Sequence, residues 1–537
     1  MEYAPPLHAT QNWQVTKPTA RGRRGIVASQ ARAASEAGVA ILEAGGNAAD
    51  AAVATAFALA AVEPWNSGLG GIGFALVHPA GSTRAEVVDF GPVAPRALDP
   101  SRFRLTGRMK QDLFAWPEVE NDANIHGPLS FVIPSAVAGY AALHERWGRL
   151  PMSEVMAPAV ALARRGLPAD WFTTLKIANS AAVLRLYPES ARIYLPGGLP
   201  PVAPYQGTPG FFRLGNLSET LERLRHAGLR DFYQGEVAAS LAADIAAMGG
   251  LMDKEDLRNC RACLRPATEI AWRGGRTLEL AGGLTAAPTF ARVLALWDHG
   301  PKGGPKGGPE GRPVPETPDA AWYVSLTRAL KTAYAERLAG IGDAEPKAAE
   351  SCTTHLSVCD AEGGMVAMTT TLLSSMGSRV VLPESGVLMN NGVMWFDPRP
   401  DQPNSMGPGK RPLCNMCPSL LSDRGRPWIA AGASGGRRIL AAVVQMLAFV
   451  ADFEMTPERA AHQPRIDVSG PDEVSADRRL APEILEALGK EGKTEIVEHA
   501  VLPVNFACPN LIESRADGMR IGISDAMSPW SAALAQG

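Results

Sequence analysis

The sequence of 537 residues lacks an excess of either charge, since 52 lysines and arginines stand against 55 aspartates and glutamates. A protein that follows a phosphate backbone needs a basic face, so a net charge of −3 argues against nucleic-acid binding. Only 20% of the residues are charged and 46% are hydrophobic, which is typical of a chain with a sizeable core rather than a disordered one. The composition indicates a globular enzyme or binding protein.

Long hydrophobic runs are also missing. The longest uncharged apolar run, residues 51–62, has twelve residues between Asp50 and Glu63, whereas a membrane helix needs about 20. We therefore expect a buried helix there and no membrane partner. The first 25 residues carry no apolar core between their charges, which predicts a cytoplasmic protein without a secretory signal.

Cysteine is scarce, with seven residues in the chain. An odd and small number of cysteines without a secretory signal predicts reduced thiols. Two pairs, Cys260/Cys263 and Cys414/Cys417, have the spacing of zinc ligands. A structural zinc ion needs four converging ligands, and these pairs lie about 150 residues apart in unlike contexts. We expect no metal site.

What the sequence does contain is a helix-rich first part and a strand-rich last part. Residues 28–62 predict two alanine-rich helices that are broken at Gly45-Gly46-Asn47. Helical periodicity dominates from about 130 to 300, and a glycine- and proline-rich segment at 300–315 predicts a surface loop. Runs rich in Val, Thr and Met predict strands at 353–358, 365–372, 385–389 and 428–431. This order favours an α+β fold with helices packed over antiparallel sheets.

Four glycines at positions 68, 70, 71 and 73 lead directly into an apolar strand. A phosphate-binding loop would place its glycines between a strand and a helix and add a Lys-Ser/Thr pair, which is absent from this stretch. We expect these glycines to let backbone pass close to backbone at a sheet edge.

The stretch SCTTHLSVCD at 351–360 is the most informative one. Alternate residues of a strand share a face, so Thr353, His355 and Ser357 point the same way. The following Ala-Glu-Gly predicts a three-residue hairpin loop with Gly363 in the left-handed region. The residue numbers of two paired positions then add up to 724, which places Thr371 opposite Thr353. By pattern alone this is an ordinary Thr–Thr pair, and a slip of one residue would turn Thr371 to the other face.

From Gly25 to about Val468 the chain resembles the γ-glutamyltranspeptidase family, a branch of the N-terminal-nucleophile hydrolases. The resemblance lies in six stretches that occur in the family's order and at its spacing. They are EAGGNAADAAV at 43–53, LGGIGF at 69–74, TTHLSV at 353–358, ESGVLMNN at 384–391, GKRPL at 409–413 and the glycine pair at 435–436.

The resemblance implies a four-layer αββα sandwich and a precursor that cuts itself between Cys352 and Thr353. The products would be a large chain 1–352 and a small chain 353–537 of 185 residues, which stay together as a heterodimer. Thr353 would be the nucleophile and its freed α-amino group the base. No organic cofactor is needed for cleavage of a small-molecule amide by these groups.

The same resemblance assigns roles to three more catalytic residues. Thr371 would orient Thr353, and the backbone N–H groups of Gly435 and Gly436 would form the oxyanion hole, although such a pair alone is often a plain turn. By residue type His355 is a candidate general base, but a histidine on a central strand is more typical of a structural role. The segment between Asp343 and Thr353 has only nine residues where the family has several tens, which bears on the efficiency of cleavage.

The residues with which the family holds a glutamyl head group are largely replaced. Gly91 stands in place of an arginine, Leu373 of an asparagine, and Trp395 of an acidic residue. Cys414 and Asn415 replace a pair of serines. An α-amino-acid head group would therefore be buried without partners. We predict that Trp395, Cys414 and Asn415 line the site of a different acyl group.

Two arginines are candidates for a new anion-binding site. Arg379 stands where the family commonly has a small residue, and Arg437 directly follows the glycine pair. Either could hold a carboxylate of a dicarboxylic acyl group, and each also fits an ordinary surface arginine. Two other functions stay open, a true γ-glutamyltransferase or glutathione hydrolase with rebuilt recognition, and an unprocessed, inactive scaffold or binding protein.

Overall fold

The structure, a computed structural model, describes residues 13, 15–110, 116–297, 316–341, 352–470 and 473–537. The predicted loop at 300–315 lies outside the described residues, as does most of the segment before Thr353, and of Cys352 only the backbone is described. In the described part of the chain, no helix is long and apolar enough to cross a membrane.

The strands of the described residues share a mostly antiparallel arrangement and are numbered in chain order. They are β1 (Ala20–Gly22), β2 (Ile26–Ser29), β3 (Ile72–His78), β4 (Glu86–Phe90), β5 (Leu105–Met109), β6 (Pro117–Val119), β7 (Leu167–Pro168), β8 (Phe211–Phe212), β9 (Cys263–Pro266), β10 (Thr268–Trp272), β11 (Arg276–Leu280), β12 (Cys352–Cys359), β13 (Met365–Leu373), β14 (Ser419–Asp423), β15 (Arg426–Ser434), β16 (Ile466–Asp467), β17 (Glu473–Asp477), β18 (Lys493–Val497), β19 (Cys508–Ser514), β20 (Arg520–Ser524) and β21 (Ala532–Ala535).

The α-helices of the same residues are also numbered in chain order. They are α1 (Arg32–Glu43), α2 (Ala48–Val62), α3 (Ala136–Trp147), α4 (Met152–Val155), α5 (Ala157–Arg165), α6 (Trp171–Leu184), α7 (Pro188–Tyr194), α8 (Leu217–Ala227), α9 (Asp231–Gln234), α10 (Glu236–Ala247), α11 (Lys254–Asn259), α12 (Ala287–Leu296), α13 (Ala320–Ile341), α14 (Arg438–Ala451), α15 (Pro457–His462) and α16 (Pro482–Gly489).

Two seven-stranded antiparallel sheets form the centre of the molecule. One has the order β21-β2-β12-β13-β3-β4-β9 and the other the order β1-β20-β19-β15-β14-β11-β10. Each sheet combines strands from both sides of residue 352, so the predicted division at 352/353 does not separate two folded bodies. The segment after β21 also meets the residue before β2, because the backbone N–H of Gln536 donates to the carbonyl of Gly25 at 2.8 Å.

Three apolar clusters follow from the alternation of side chains along these strands. Val358 and Val366 of the first sheet pack with α1, α2 and α3. Ile429 and Leu511 of the second sheet pack with α12, α13 and α14. The third cluster takes the remaining faces of both sheets and includes Ile72, Phe74, Leu420, Ala430 and Ile512. Both sheets are thus buried on two faces around residues 352–373 and 419–434.

The predicted buried helix at 51–62 is confirmed as most of α2, and every residue of this helix is buried. Its start is defined by a capping box in which the Asn47 side chain accepts from the Asp50 N–H and the Asp50 side chain accepts from the Asn47 N–H. The break at Gly45-Gly46 is confirmed as well, with Gly45 at φ +93°.

The helix-rich first part is confirmed, since it contains α1–α13, and it also supplies β1–β11, whose short strands carry little periodicity. Two expectations for the fold are wrong. The predicted strand at 385–389 is a tight turn around Gly386 (φ +68°), whose N–H donates to the carbonyl of Leu382. The glycine-led strand β3 lies between β13 and β4, inside the sheet rather than at its edge.

The close passage of backbone at this strand is confirmed. A Cβ atom on Gly73 would lie 2.3 Å from the carbonyl oxygen of Thr369 on the neighbouring strand β13. This distance is far below van der Waals contact, and the obstacle is backbone, which cannot rotate away.

We therefore expect Gly73→Ala to lower the free energy of unfolding by about 1–3 kcal/mol, the usual cost of overpacking. Urea denaturation of the purified variant measures this change. Gly210→Ala is the matched control, because a Cβ atom there meets no atom within 4 Å. Equal stabilities of the two variants would contradict the prediction.

Candidate active site

The hairpin of β12 and β13 has the register predicted from the sequence. Positions from Thr354/Thr370 to Cys359/Met365 pair as expected, and Gly363 in the loop has φ +91°. Beyond Thr354 the register shifts by one residue, so that Cys352 lies opposite Leu373. This bulge falls on the residue that the sequence singled out, Thr353.

The hydroxyls of Thr353 and Thr371 lie 3.2 Å apart, and both side chains are buried. The Thr371 oxygen also accepts a hydrogen bond from the backbone N–H of Leu373 at 2.8 Å. Either of the two hydroxyls can donate to the other. The structure thus brings these two predicted residues together.

The glycine pair forms the turn between β15 and α14, as predicted. Gly435 has φ +138° and Gly436 φ +61°, values that favour glycine. Their carbonyls accept the N–H groups of Arg438 and Ile439, both at 3.2 Å, which starts the helix. N–H groups at a helix start have no partner within the helix, so the turn is suited to bind negative charge.

This turn lies at the same end of the sheets as Thr353. The ring of His355 packs against Gly432, where a Cβ atom would lie 2.3 Å from the ring carbon Cε1. Thr353 precedes His355 by two residues on β12, and Ser434 follows Gly432 by two residues on β15. Hydrogen bonds from Leu372 through Asn66 and Gln30 to Ser434 join the neighbourhood of Thr371 to this turn.

His355 is a structural residue, as expected. Its Nδ1 lies 2.8 Å from the Thr369 hydroxyl and its Nε2 lies 3.1 Å from the Ser357 hydroxyl. Complete burial lowers the pKa of His355 to about 3. The ring is therefore neutral and fully hydrogen-bonded at physiological pH.

Three of the predicted acyl-site residues lie close together. Trp395 and Cys414 belong to the apolar cluster between the sheets, together with Leu373. Burial raises the pKa of the Cys414 thiol to about 12, so it is neutral. Asn415 lies beside them and accepts from Arg337 at 3.3 Å.

Arg337 was not identified from the sequence, in which it is one arginine in a long helix. Its buried guanidinium donates to the carbonyl oxygens of Thr285 (3.1 Å) and Cys414 (2.9 Å). It therefore fixes the loop that carries Cys414 and Asn415. The signal that could have found it is a charged residue on the buried face of α13.

The two candidate arginines have different surroundings. Arg379 sits at φ +62° and its Nη1 donates to Ser374 (2.7 Å) and to the carbonyl of Gly377 (2.6 Å), which ties it to the loop that follows Leu373. Arg437 is buried, and burial lowers its pKa to about 10, with a smaller contribution from the charge of Arg337.

Arg411 occupies the space that a side chain at position 91 would need. A Cβ atom on Gly91 would lie 2.7 Å from Nη2 of Arg411 and 2.4 Å from Cζ of Phe74. Asp89 holds this guanidinium in an ion pair and also accepts from Arg265 at 3.3 Å. Position 91 thus has no room for a side chain, and the cation beside it comes from residue 411.

A buried polar network lies near the start of β12. Nδ2 of Asn66 donates to Oε1 of Glu63 at 2.6 Å and approaches Oε1 of Gln30 at 3.4 Å. Gln30 donates in turn to the hydroxyl of Ser434, next to the glycine turn. The carbonyl of Asn66 accepts from the N–H of Leu372, beside Thr371. This network connects the end of β13 with the residue after β2 and with the glycine turn.

Burial raises the pKa of Glu63 from an ordinary 4.5 to about 7. The hydroxyl of Thr354, the amide of Asn66 and the ammonium of Lys176 oppose this rise without cancelling it. Arg438 lines the same cavity, and the Cys508 thiol there is neutral because burial raises its pKa to about 12. Glu63 therefore changes charge near neutral pH.

The pKa of Glu63 is higher in the folded chain than in the unfolded chain, so Glu63 loses its proton at lower pH when the chain is unfolded. The free energy of unfolding therefore falls as pH rises from 4.5 to about 7. The expected loss is about 3 kcal/mol. Glu63→Gln keeps the bond to Asn66 and removes this titration. We expect its stability relative to the parent to increase over that pH range, as measured by urea denaturation at several pH values. A constant difference would contradict the assignment.

Comparison with known proteins places this chain in one family. The sequence profile described as gamma-glutamyltranspeptidase matches residues 34–351 and 342–528. A glutathione hydrolase proenzyme of Escherichia coli is 28% identical over 540 residues, covering 93% of this chain and 90% of that protein. The Acylase ACY 1 proenzyme of a Pseudomonas species (strain V22) is 30% identical over 490 residues, covering 87% and 86%.

A solved structure shares the fold over nearly the whole chain. The cephalosporin acylase from Bacillus halodurans superimposes with a TM-score of 0.81 at 22% identity, covering 99% of each chain. At this identity the likeness concerns the fold, with its antiparallel sheets and flanking helices. The profile match over most of the sequence establishes that the chain belongs to the gamma-glutamyltranspeptidase family.

Proposed function

We propose that this protein is a self-processing amidohydrolase that cleaves a small-molecule amide through an ester on Thr353. The observation that carries the proposal is the 3.2 Å contact between the Thr353 and Thr371 hydroxyls at the buried start of β12. Two of the relatives are named as proenzymes, which supports a precursor that is cut into two chains.

Maturation begins when Oγ of Thr353 attacks the carbonyl carbon of Cys352. The peptide C–N bond breaks, the hydroxyl proton passes to the released α-amino group, and an ester joins the two chains. Water then hydrolyses this ester, which leaves a carboxyl group on Cys352 and restores the hydroxyl of Thr353. The large and small chains remain associated, since each sheet contains strands from both.

Catalysis repeats the same chemistry on a substrate. The α-amino group of Thr353, with a reference pKa of about 7.7–8.0, takes the hydroxyl proton and passes it to the leaving amine. Thr371 donates to the nucleophile's oxygen and fixes its direction. The N–H groups of Gly435 and Gly436 bind the oxyanion, a role worth about 2.7–4 kcal/mol per donor in other enzymes.

The three apolar clusters support a four-layer αββα arrangement. Each large sheet shares one face with helices and the other with the opposite sheet. In that arrangement the catalytic groups lie in the gap between the sheets, where little water competes with hydrogen bonds to the oxyanion.

The acyl group is a dicarboxylic or uncharged one rather than γ-glutamyl. None of Cys414, Trp395 and Leu373 carries a carboxylate that could form an ion pair with an α-ammonium group. Arg411 remains as a cation, with 40% of its side chain exposed, and it lies where position 91 would project. It is suited to hold the distal carboxylate of a dicarboxylic acyl group.

Replacement of the nucleophile tests the mechanism. The parent should give fragments of roughly 37 and 20 kDa by proportion from 56.8 kDa, the smaller one starting Thr-Thr-His-Leu. Thr353→Ala should stay a single chain without activity, and Thr353→Ser should still cleave. Intact mass and N-terminal sequencing provide the measurement. A parent that stays uncut for days would favour the inactive scaffold, and an active two-chain Thr353→Ala protein would refute the mechanism.

Matched anilides test the acyl specificity. We expect kcat/KM for glutaryl-p-nitroanilide to exceed that for γ-glutamyl-p-nitroanilide by roughly tenfold or more, because the two differ only by an ammonium group that would be buried unpaired. Release of p-nitroaniline measures both rates. Preference for the γ-glutamyl substrate would support a true glutathione hydrolase instead.

Arg411→Gln should lower the hydrolysis of glutaryl-p-nitroanilide while sparing butyryl-p-nitroanilide, which has no distal carboxylate. Arg265→Gln is the control, because Arg265 pairs with the other oxygen of the same Asp89. Equal losses with both acyl groups would mean that Arg411 serves the structure and not the acyl carboxylate.

A further inference from the structure

A small cavity borders the glycine turn on the side of β2. Its volume is about 60 Å³, and its lining includes Gln30, Glu63, Trp65, Ser434 and Gly435. Within the described residues, two buried atoms of this lining have no hydrogen-bond partner, Oε2 of Glu63 and Nε1 of Trp65. One is an acceptor and the other a donor, and unpaired buried polar atoms of this kind are rare in folded proteins.

The network around Glu63 leaves this acceptor unused. Asn66 binds only Oε1, at 2.6 Å. The Thr354 hydroxyl interacts with the carboxyl but completes no hydrogen bond with Oε2 among the described groups. A purely structural carboxyl at this depth would have both oxygens paired. The arrangement is complete only with an occupant that brings an N–H group to Oε2.

A larger hollow of about 790 Å³ adjoins the cavity on its outer side. The two share Pro529, and Ala31 and Val62 of the hollow are the chain neighbours of Gln30 and Glu63. The charged lining of this hollow is Lys17, Arg21, Arg32, Arg165, Glu36 and Asp170. Cations outnumber carboxylates, and Lys176 adds one more cation in the inner cavity.

The cavity is separate from the acyl side. Trp65 of the cavity belongs to the apolar cluster beneath the helices, whereas Leu373, Trp395 and Cys414 belong to the cluster between the sheets. Gly435, a candidate oxyanion-hole residue, also lines the cavity. An amide bound at Thr353, with its acyl group in the cluster between the sheets and its carbonyl oxygen at Gly435, directs its amine towards the cavity.

We infer that the cavity beside Gly435 is the leaving-group site, in which Oε2 of Glu63 accepts the N–H of the departing amine and Nε1 of Trp65 donates to an oxygen carried by that amine. The inference rests on the proposed function and adds to it the residues that select the amine. The cationic hollow outside favours an amine that bears a carboxylate, and this amine leaves through it.

The step balances without a further reactant. Oγ of Thr353 forms a bond to the acyl carbon, the C–N bond breaks, and the proton of the hydroxyl reaches the leaving nitrogen through the α-amino group. Glu63 neither gains nor loses a proton and acts only as a hydrogen-bond acceptor. Its bond to the leaving nitrogen strengthens as that nitrogen gains its proton, so Glu63 assists acylation and has no part in deacylation.

Two substrates that differ at one atom test this role. Glutaryl-p-nitroanilide presents an N–H to Glu63, whereas the p-nitrophenyl monoester of glutarate presents an oxygen, and both form the same acyl-enzyme. The butyryl pair serves if the parent turns over only uncharged acyl groups. Pre-steady-state release of the chromophore measures acylation, and the following steady state measures deacylation.

In Glu63→Gln, an amide N–H₂ replaces the free acceptor while Oε1 still receives Asn66. We expect acylation by the anilide to fall roughly ten- to hundredfold, and acylation by the ester and the common deacylation rate to stay within about twofold. Trp65→Phe, which keeps the ring packing, should weaken binding of anilides that carry a carboxylate. Glu145→Gln, an exposed carboxylate on α3, is the matched control.

The outcomes distinguish failure of the leaving-group role from failure of the proposed function. Equal loss with anilide and ester, or loss of self-cleavage in Glu63→Gln by intact mass, would overturn the leaving-group role and leave Thr353 catalysis intact. An unchanged anilide rate in Glu63→Gln would overturn it as well. A parent protein that turns over neither substrate of either pair would refute the proposed function, and the inference would fall with it.

Discussion

The antiparallel pairing of β12 with β13 is the constraint on which the rest of the site depends. A three-residue loop sets the register, and a single bulge at the end of the hairpin brings two threonine hydroxyls within 3.2 Å. Both strands lie inside a seven-stranded sheet, so β2 and β3 hold them from outside. The geometry of two small side chains is thereby fixed by backbone hydrogen bonds rather than by flexible loops, as a preorganised site requires.

Burial removes charge from most titratable groups near this hairpin. His355 and the thiols of Cys414 and Cys508 are neutral because each charged form would be poorly solvated. Glu63 is the contrast, since its pKa near 7 keeps both protonation states within reach. Perturbed groups of this kind cluster at functional sites because selection for activity opposes their cost in stability. A chemistry that needs one amine and one hydroxyl benefits from neighbouring groups that carry no charge.

Local patterns predicted local structure well. The hairpin register, the capped start of α2 and the strand-to-helix turn at Gly435 all follow from residues within a few positions of each other. The predicted strand at 385–389 is wrong because Gly386 permits a turn that the apolar content of this stretch does not reveal. Arg411 beside Gly91 and Ser434 beside Gln30 could not be foreseen, since each contact joins positions more than 300 residues apart and depends on the order of strands in the sheets. The acyl side was indicated by replaced residues, whereas the cavity at Glu63 left no trace in any motif.

The course of the chain before β2 has a consequence for how the proposed N-terminal threonine could arise. Gln536 donates to Gly25 at 2.8 Å and Lys17 donates to the carbonyl of Ser531 at 2.8 Å, so the segment before β2 lies along the last strand. A linker from Gly537 to the start of the chain could join the two ends while β1 stays in its sheet. Opening the joined chain at 352/353 would then give a circular permutant whose first residue is Thr353, once an initiator methionine is removed. In such a chain translation would supply the free amine that the proposed mechanism obtains by autoproteolysis. Self-cleavage and substrate turnover, which the proposed mechanism assigns to the same hydroxyl, could then be measured separately.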